Sequence, residues 1–247
     1  MGEFKLGERS DMSALAADFS AKRYIQVPEI LDAHAAKAAQ KALWSLPWGL
    51  CFNEGEAVHQ ISPDALQRMP PETQRQMLAR VHQGAARGFQ FLYNFFPMLE
   101  AATRLGKEAP MAGFFAFINS APFLKFVRNV TGNDDIQWAD AQATLFQPGH
   151  FLTWHDDSKS KDRRVAAYVF GFTEDWGSDW GGYLNFFDER RDVTAAFRPK
   201  FNVLSLFAVP TPHAVGVVAP FAKGQRFSVT GWLRTDDPPA EIRVLMK

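Results

Sequence analysis

Two histidines and one carboxylate stand in strand-like sequence: His155 and Asp157 in Thr153-Trp154-His155-Asp156-Asp157, and His213 in Pro210-Thr211-Pro212-His213. Two imidazoles and a carboxylate on one face of an Fe(II) ion leave three adjacent coordination positions open. Those positions can take a bidentate co-substrate and O2, which a closed four-ligand site has no room for. The His-x-Asp spacing suits a strand, because residues two apart point to the same side of a sheet. His213 then has to come from a distant strand folded back against the first.

Arg226 follows one strand later, in Arg226-Phe227-Ser228-Val229-Thr230-Gly231-Trp232. Alternation puts Arg226, Ser228, Thr230 and Trp232 on one face and Phe227 and Val229 on the other. A guanidinium on an inner face presents a fork of donors suited to a carboxylate. A small diacid chelating the metal at one end would offer its far carboxylate to such a group. Taken alone, Arg226 reads equally as a surface arginine after the turn Lys223-Gly224-Gln225.

With these pieces in order, the sequence resembles the 2-oxoglutarate/Fe(II)-dependent dioxygenases, in their prolyl-hydroxylase-like branch. The resemblance runs through Phe146-Gln147-Pro148-Gly149-His150-Phe151-Leu152, His155-Asp156-Asp157, Arg163-Arg164, Gly181-Gly182-Tyr183-Leu184, His213 and Arg226-Phe227-Ser228. It covers roughly residues 136–236 and is closest to ribosomal-protein prolyl hydroxylases and their bacterial relatives. It implies Fe(II) held by His155, Asp157 and His213. It also implies 2-oxoglutarate anchored by Arg226, O2 as oxidant, and ascorbate as an optional reductant. The carboxylate ligand argues against halogenation, in which a halide takes that place.

One departure concerns the co-substrate. Related enzymes often carry a tyrosine where this chain has Phe146, and phenylalanine has no hydroxyl to offer. Tyr168, in Arg164-Val165-Ala166-Ala167-Tyr168-Val169-Phe170, is the candidate replacement; a packed core aromatic is the competing reading. His150 reads as a polar surface residue of the loop before the His155 strand. His34, His59 and His82 read as structural.

The elements that position these groups divide the chain of 247 residues in two. Residues 29–46 form an alanine-rich helix between prolines, and 71–105 carry Met77, Val81, Phe89, Leu92 and Phe96 at roughly helical spacing. Residues 121–130 begin at a proline and stop at Thr131-Gly132-Asn133-Asp134. From Trp138 onward, strand-like runs at 141–146, 151–155, 165–172, 183–187, 202–207, 213–218 and 227–233 are separated by turns. The expectation is an α+β fold in one domain. Residues 1–135 are a largely helical support, and 136–236 are a core that the resemblance makes a double-stranded β-helix, a jelly-roll form. Many of the 23 phenylalanines fall in the helical part, where an aromatic stripe reads as core packed on the outside of the sheet. Residues 1–11 read as a disordered leader or a remnant.

Composition bounds the partners. Lysine plus arginine and aspartate plus glutamate are balanced at 27 each, which leaves no general footprint for nucleic acid. The single cysteine, Cys51, excludes an intramolecular disulfide. No apolar run approaches the roughly 18 residues of a membrane span. A cytoplasmic location is the expectation. The resemblance implies hydroxylation of a prolyl residue in a protein or peptide. Free proline or another small molecule is the alternative substrate, and a cupin-like metal binder without turnover is the non-enzymatic one. The tryptophans of the 176–180 loop, Trp176 and Trp180, together with Arg164 and the charged stretch 156–163, are the candidate rim of a substrate groove.

Overall fold

The computed structural model describes residues 4–158 and 163–246. In the N-terminal half, helices α1 (Met12–Lys22), α2 (Ala33–Trp44), α3 (Pro63–Arg68), α4 (Pro71–Ala85), α5 (Met98–Leu105), α6 (Ala112–Ile118) and α7 (Ala121–Thr131) are interleaved with four strands. These are β1 (Tyr24–Pro28), β2 (Gly49–Glu54), β3 (Ala57–Ile61) and β4 (Phe91–Phe96). Next come β5 (Trp138–Ala139), β6 (Gln142–Phe146), β7 (Phe151–His155), β8 (Arg164–Phe172) and β9 (Leu184–Phe187). The last strands are β10 (Val193–Phe197), β11 (Phe201–Ala208), β12 (His213–Val215) and β13 (Arg226–Arg234).

The strands join edge to edge in the order β1-β11-β8-β13-β6-β4-β7-β12-β9-β10. The β2–β3 hairpin adds to β4, and β5 adds to β13. The pairing is antiparallel, and the order has no consecutive run of sequence neighbours except β9-β10. The sheet curls into a nearly closed barrel, the jelly-roll form expected for a double-stranded β-helix.

Local chemistry accounts for the helices that brace it. Asp32 caps α2 by accepting from the Ala35 N–H at 2.9 Å, and Ala35, Ala36, Ala39 and Leu43 turn one small-residue face inward. In α7, Pro122 sits in the first turn and Gly132 closes the helix with φ 67°. The aromatic stripe is core: Phe114 and Phe123 of the helices meet Phe170 of β8 at 5.2 and 5.6 Å between ring centroids. Burying such rings contributes on the order of 1.5–3 kcal/mol each.

Three expectations are corrected. The helix read over 71–105 is broken: α4 ends at Ala85, Phe91–Phe96 is strand β4, and α5 follows. The strand pairs with β2, β6 and β7 and is buried on both faces. It therefore lacks the alternation by which a strand is told from a helix. The support is thus helical with four strands inserted. Residues from Phe4 on are no loose leader: the Gly7 N–H donates to the Ile30 carbonyl at 2.9 Å, Leu6 bridges Leu31, and Phe4 packs edge-on against Phe114.

Candidate active site

His155 is the last residue of β7, and His213 opens β12 directly opposite it in the antiparallel register. Their rings lie 4.1 Å apart. Asp157 is not on the strand, as the spacing had implied. The chain turns after His155, and Asp157 adopts φ 63°, a left-handed conformation that aspartate tolerates better than most residues. That turn brings its carboxylate back: Oδ1 is 3.6 Å from His155 Nε2 and Oδ2 is 3.9 Å from His213 Nε2. One ligand atom from each residue lies within 4.8 Å of the others. Among the described residues no other group of three or more His, Cys, Asp or Glu side chains gathers in this way.

The donor set fits a metal ion. His155 Nδ1 is 2.9 Å from the Thr153 carbonyl and His213 Nδ1 is 2.8 Å from the Thr211 carbonyl. Both Nδ1 atoms must therefore carry the proton, which leaves both Nε2 lone pairs facing the shared point, the tautomer that metal binding needs. Burial, reinforced by the neighbouring His155, pushes His213 down to about 4. Asp157 Oδ2 also accepts from the Trp232 indole N–H at 3.0 Å, which fixes the carboxylate plane. Two neutral imidazoles and one carboxylate match the facial set used with non-haem Fe(II).

From this triad a cavity of about 500 Å³ runs between the two walls of the barrel to Arg226. The face read from the sequence is the one presented: Arg226, Ser228, Thr230 and Trp232 line the cavity. Phe227 and Val229 point into the helical core. Arg226 is 6% exposed and makes no ion pair with a carboxylate among the described residues. Its guanidinium lies over the Phe146 ring at 4.9 Å, and its Nη1 donates to Ser228 Oγ at 3.3 Å; Ser228 shares a 2.9 Å bond with Thr144. Burial lowers Arg226 to about 10, so it stays cationic at neutral pH. A buried cation with only hydroxyl and ring partners is an incomplete site for an anion.

Tyr168 is not part of it. Its hydroxyl donates to the Asp140 carbonyl at 2.5 Å, and the side chain is fully buried against Phe170. The register explains why: Tyr168 pairs with Gly231, whereas Ala167 and Val169 pair with Trp232 and Thr230 and share their face. The tyrosine in the cavity is Tyr93 of β4, stacked on Phe146 at 5.3 Å, with its hydroxyl accepting from Gln142 Nε2 at 3.4 Å. Sequence reading missed it because β4 was taken for helix.

Trp176 and Trp180 do not form the rim either. Trp176 is buried, donates from Nε1 to the Gly181 carbonyl at 2.9 Å, and packs edge-on against Trp180. Gly182, at φ 65°, lets it sit behind the stem of Arg226: a Cβ there would lie 3.1 Å from the Trp176 ring and 3.5 Å from Arg226 Cδ. His150 is likewise no surface residue. It is buried, its Nδ1 accepts from the Gln147 N–H at 3.2 Å, and burial lowers it to about 4.

Arg164 does border the mouth, with its guanidinium stacked 3.7 Å from the Trp232 ring centroid. Of the charged stretch 156–163, residues 159–162 lie outside the described residues. The mouth opens into a groove of about 920 Å³ walled by Gly88, Phe89, Trp154, Asp156, Arg164 and Arg191. Phe89 and Trp154 are exposed along it, and Phe89 stands 5.2 Å from the His155 ring.

Residues 141–234 match the family model of the 2OG-Fe(II) oxygenase superfamily, the stretch that contains His155, Asp157, His213 and Arg226. No curated protein sequence matches the chain. Among solved structures, an oxidoreductase of the 2OG-Fe(II) oxygenase family from Burkholderia pseudomallei aligns at a TM-score of 0.62 and 14% identity, covering 97% of each chain. A prolyl-4-hydroxylase from Pseudomonas putida aligns at 0.58 and 17%, covering 92% of this chain and all of that one. A prolyl hydroxylase from Trichoplax adhaerens, in complex with a hypoxia inducible factor peptide fragment, aligns at 0.58 and 13%, covering 91% and 89%. At these identities the likeness is one of fold. Among the described residues no helix is long and apolar enough to cross a membrane.

Proposed function

We propose, from a strand region that matches the 2OG-Fe(II) oxygenase superfamily, that this protein is an Fe(II)- and 2-oxoglutarate-dependent dioxygenase that hydroxylates a prolyl residue of a protein or peptide. The observation that carries the oxygenase reading is Arg226: a buried arginine without a carboxylate partner among the described residues, in the same cavity as a two-histidine, one-carboxylate triad. A protein that merely stored a metal would have no use for that cation.

His155, Asp157 and His213 would hold Fe(II), which with 2-oxoglutarate and O2 supplies the oxidising chemistry, yielding succinate, CO2 and the hydroxylated product. Arg226 would pair with the far carboxylate of 2-oxoglutarate, with Ser228 and Thr144 extending the polar floor. Tyr93 would offer the hydroxyl that Phe146 lacks, while the Phe146 ring carries the guanidinium face. The aromatic walls keep water from the reacting end.

For the substrate, the support is the breadth of the groove and the exposed rings of Phe89 and Trp154 beside His155. A proline-containing chain enters such a groove partly preorganised, at lower entropic cost than a flexible one. The prolyl hydroxylases of like fold, one of them holding a peptide, point the same way. The test is mass spectrometry of proteins incubated with the active protein and with His155→Ala. A proline that gains one oxygen only with the intact triad supports the reading. Succinate release with free amino acids or another metabolite, and no modified protein, overturns the substrate half.

A further inference from the structure

Charge along the groove is lopsided. Arg87, Arg164 and Arg191 line it, against Asp157, which turns to the metal triad, and Asp156. Asp156 is already engaged: its Oδ1 accepts from Ser158 Oγ at 2.6 Å and from the Ser158 N–H at 3.0 Å, and those bonds hold it below the usual carboxylate range.

Arg191 is set in place by a built turn. Between β9 and β10, Asp188 Oδ1 accepts from the N–H groups of Arg190 and Asp192, both at 2.9 Å. The Arg191 N–H donates to the Asp188 carbonyl, and the Asp188 N–H to the Asp192 carbonyl, each at 3.0 Å. Arg191 itself takes φ 68°, a left-handed conformation that costs a residue with a Cβ roughly 1–2 kcal/mol. The turn delivers its guanidinium over the ring of Trp154, 4.8 Å from the centroid, and Trp154 directly precedes His155. A guanidinium stacked by its face keeps its N–H donors in plane, where a carboxylate can meet two of them.

We propose that the groove selects peptides bearing an aspartate or glutamate close to the reacting residue, with Arg191 on its Trp154 platform as the specificity-determining contact. The inference rests on the prolyl-peptide reading for the identity of the reacting residue; the charge preference comes from the groove itself.

The experiment measures binding by fluorescence anisotropy, with the full chain loaded with Mn(II) to prevent turnover. The probes are short labelled peptides with a central proline or alanine, flanked by Asp, Asn or Lys. The expected result is tighter binding of the Asp peptides than of their Asn counterparts by about five-fold, the upper range for an exposed ion pair. That gap should shrink as salt is raised. Arg191→Glu should shift the preference to the Lys peptides, and Arg191→Gln, a milder change at an exposed turn, should abolish it. Equal binding of Asp and Asn peptides, or an Asp preference unchanged in both variants, overturns the proposal. A charge preference shared by the alanine peptides would uphold it while removing the prolyl reading. A proline requirement without charge preference would do the reverse. If none of the peptides binds, both fall.

Discussion

The indole N–H of Trp232 donates to Oδ2 of Asp157 at 3.0 Å, while the Arg164 guanidinium lies 3.7 Å from the centroid of the same ring. One side chain near the end of β13 thus orients the carboxylate of the metal triad and supports an arginine at the mouth. Trp232→Phe keeps the platform and deletes only the donor. Groups that orient a metal ligand are worth about 10–100-fold in metal affinity. Titration calorimetry with Mn(II) is expected to show a weakening of at least about ten-fold, with the thermal midpoint little changed. Unaltered Mn(II) affinity would mean that the Asp157 turn holds the carboxylate without help.

Removing either imidazole is expected to act on chemistry and spare the fold. His155→Ala and His213→Ala should each lose Fe(II) binding and 2-oxoglutarate turnover while circular dichroism stays native. Both rings face the cavity, and their Nδ1 bonds go to local carbonyls two residues away, so no long-range contact is lost. Retained iron binding and turnover in His213→Ala would end the metal assignment.

Arg226→Ala is expected to weaken 2-oxoglutarate binding by about 30-fold or more, since breaking a buried charge pair costs about 2–5 kcal/mol. Arg226→Lys should recover only part, because an ammonium lacks the planar fork and sits less well on Phe146. Equilibrium dialysis with labelled 2-oxoglutarate reads both. An unchanged affinity in Arg226→Ala would transfer the anchoring role to another cation.

The sequence made the triad and Arg226 legible because their geometry is local or simply periodic. His155 and Asp157 are two residues apart, and strict alternation along β13 fixes the cavity face of Arg226, Ser228, Thr230 and Trp232. Residues whose role depends on register across strands stayed hidden. Nothing within Val165–Phe170 says that Tyr168 will stand opposite Gly231 and so face away from the cavity. Tyr93 was hidden for a second reason: a strand covered on both faces by β2, β6 and β7 carries no period of two. His150, Trp176 and Trp180 were misplaced because a loop rich in glycine or proline reads as exposed, whereas here each loop folds back onto the barrel. The left-handed turn at Asp157 was likewise unreadable, since aspartate is common at many conformations.

The two tyrosines separate structure from function most cleanly. Tyr168→Phe deletes a hydroxyl whose partner, the Asp140 carbonyl, is buried and would be left without that donor. The expected cost is about 1–3 kcal/mol of stability, visible as a lower denaturant midpoint. Binding of 2-oxoglutarate should be unchanged, because the side chain points into the helical core. Tyr93→Phe is expected to do the opposite. Its hydroxyl borders the cavity with only a long bond from Gln142, so its loss should barely move the midpoint. Affinity for 2-oxoglutarate should fall by about five-fold, the worth of one hydrogen bond near 1 kcal/mol. Measured side by side, the pair is decisive: if Tyr168→Phe weakens 2-oxoglutarate and Tyr93→Phe does not, the cavity assignment of the two residues is wrong.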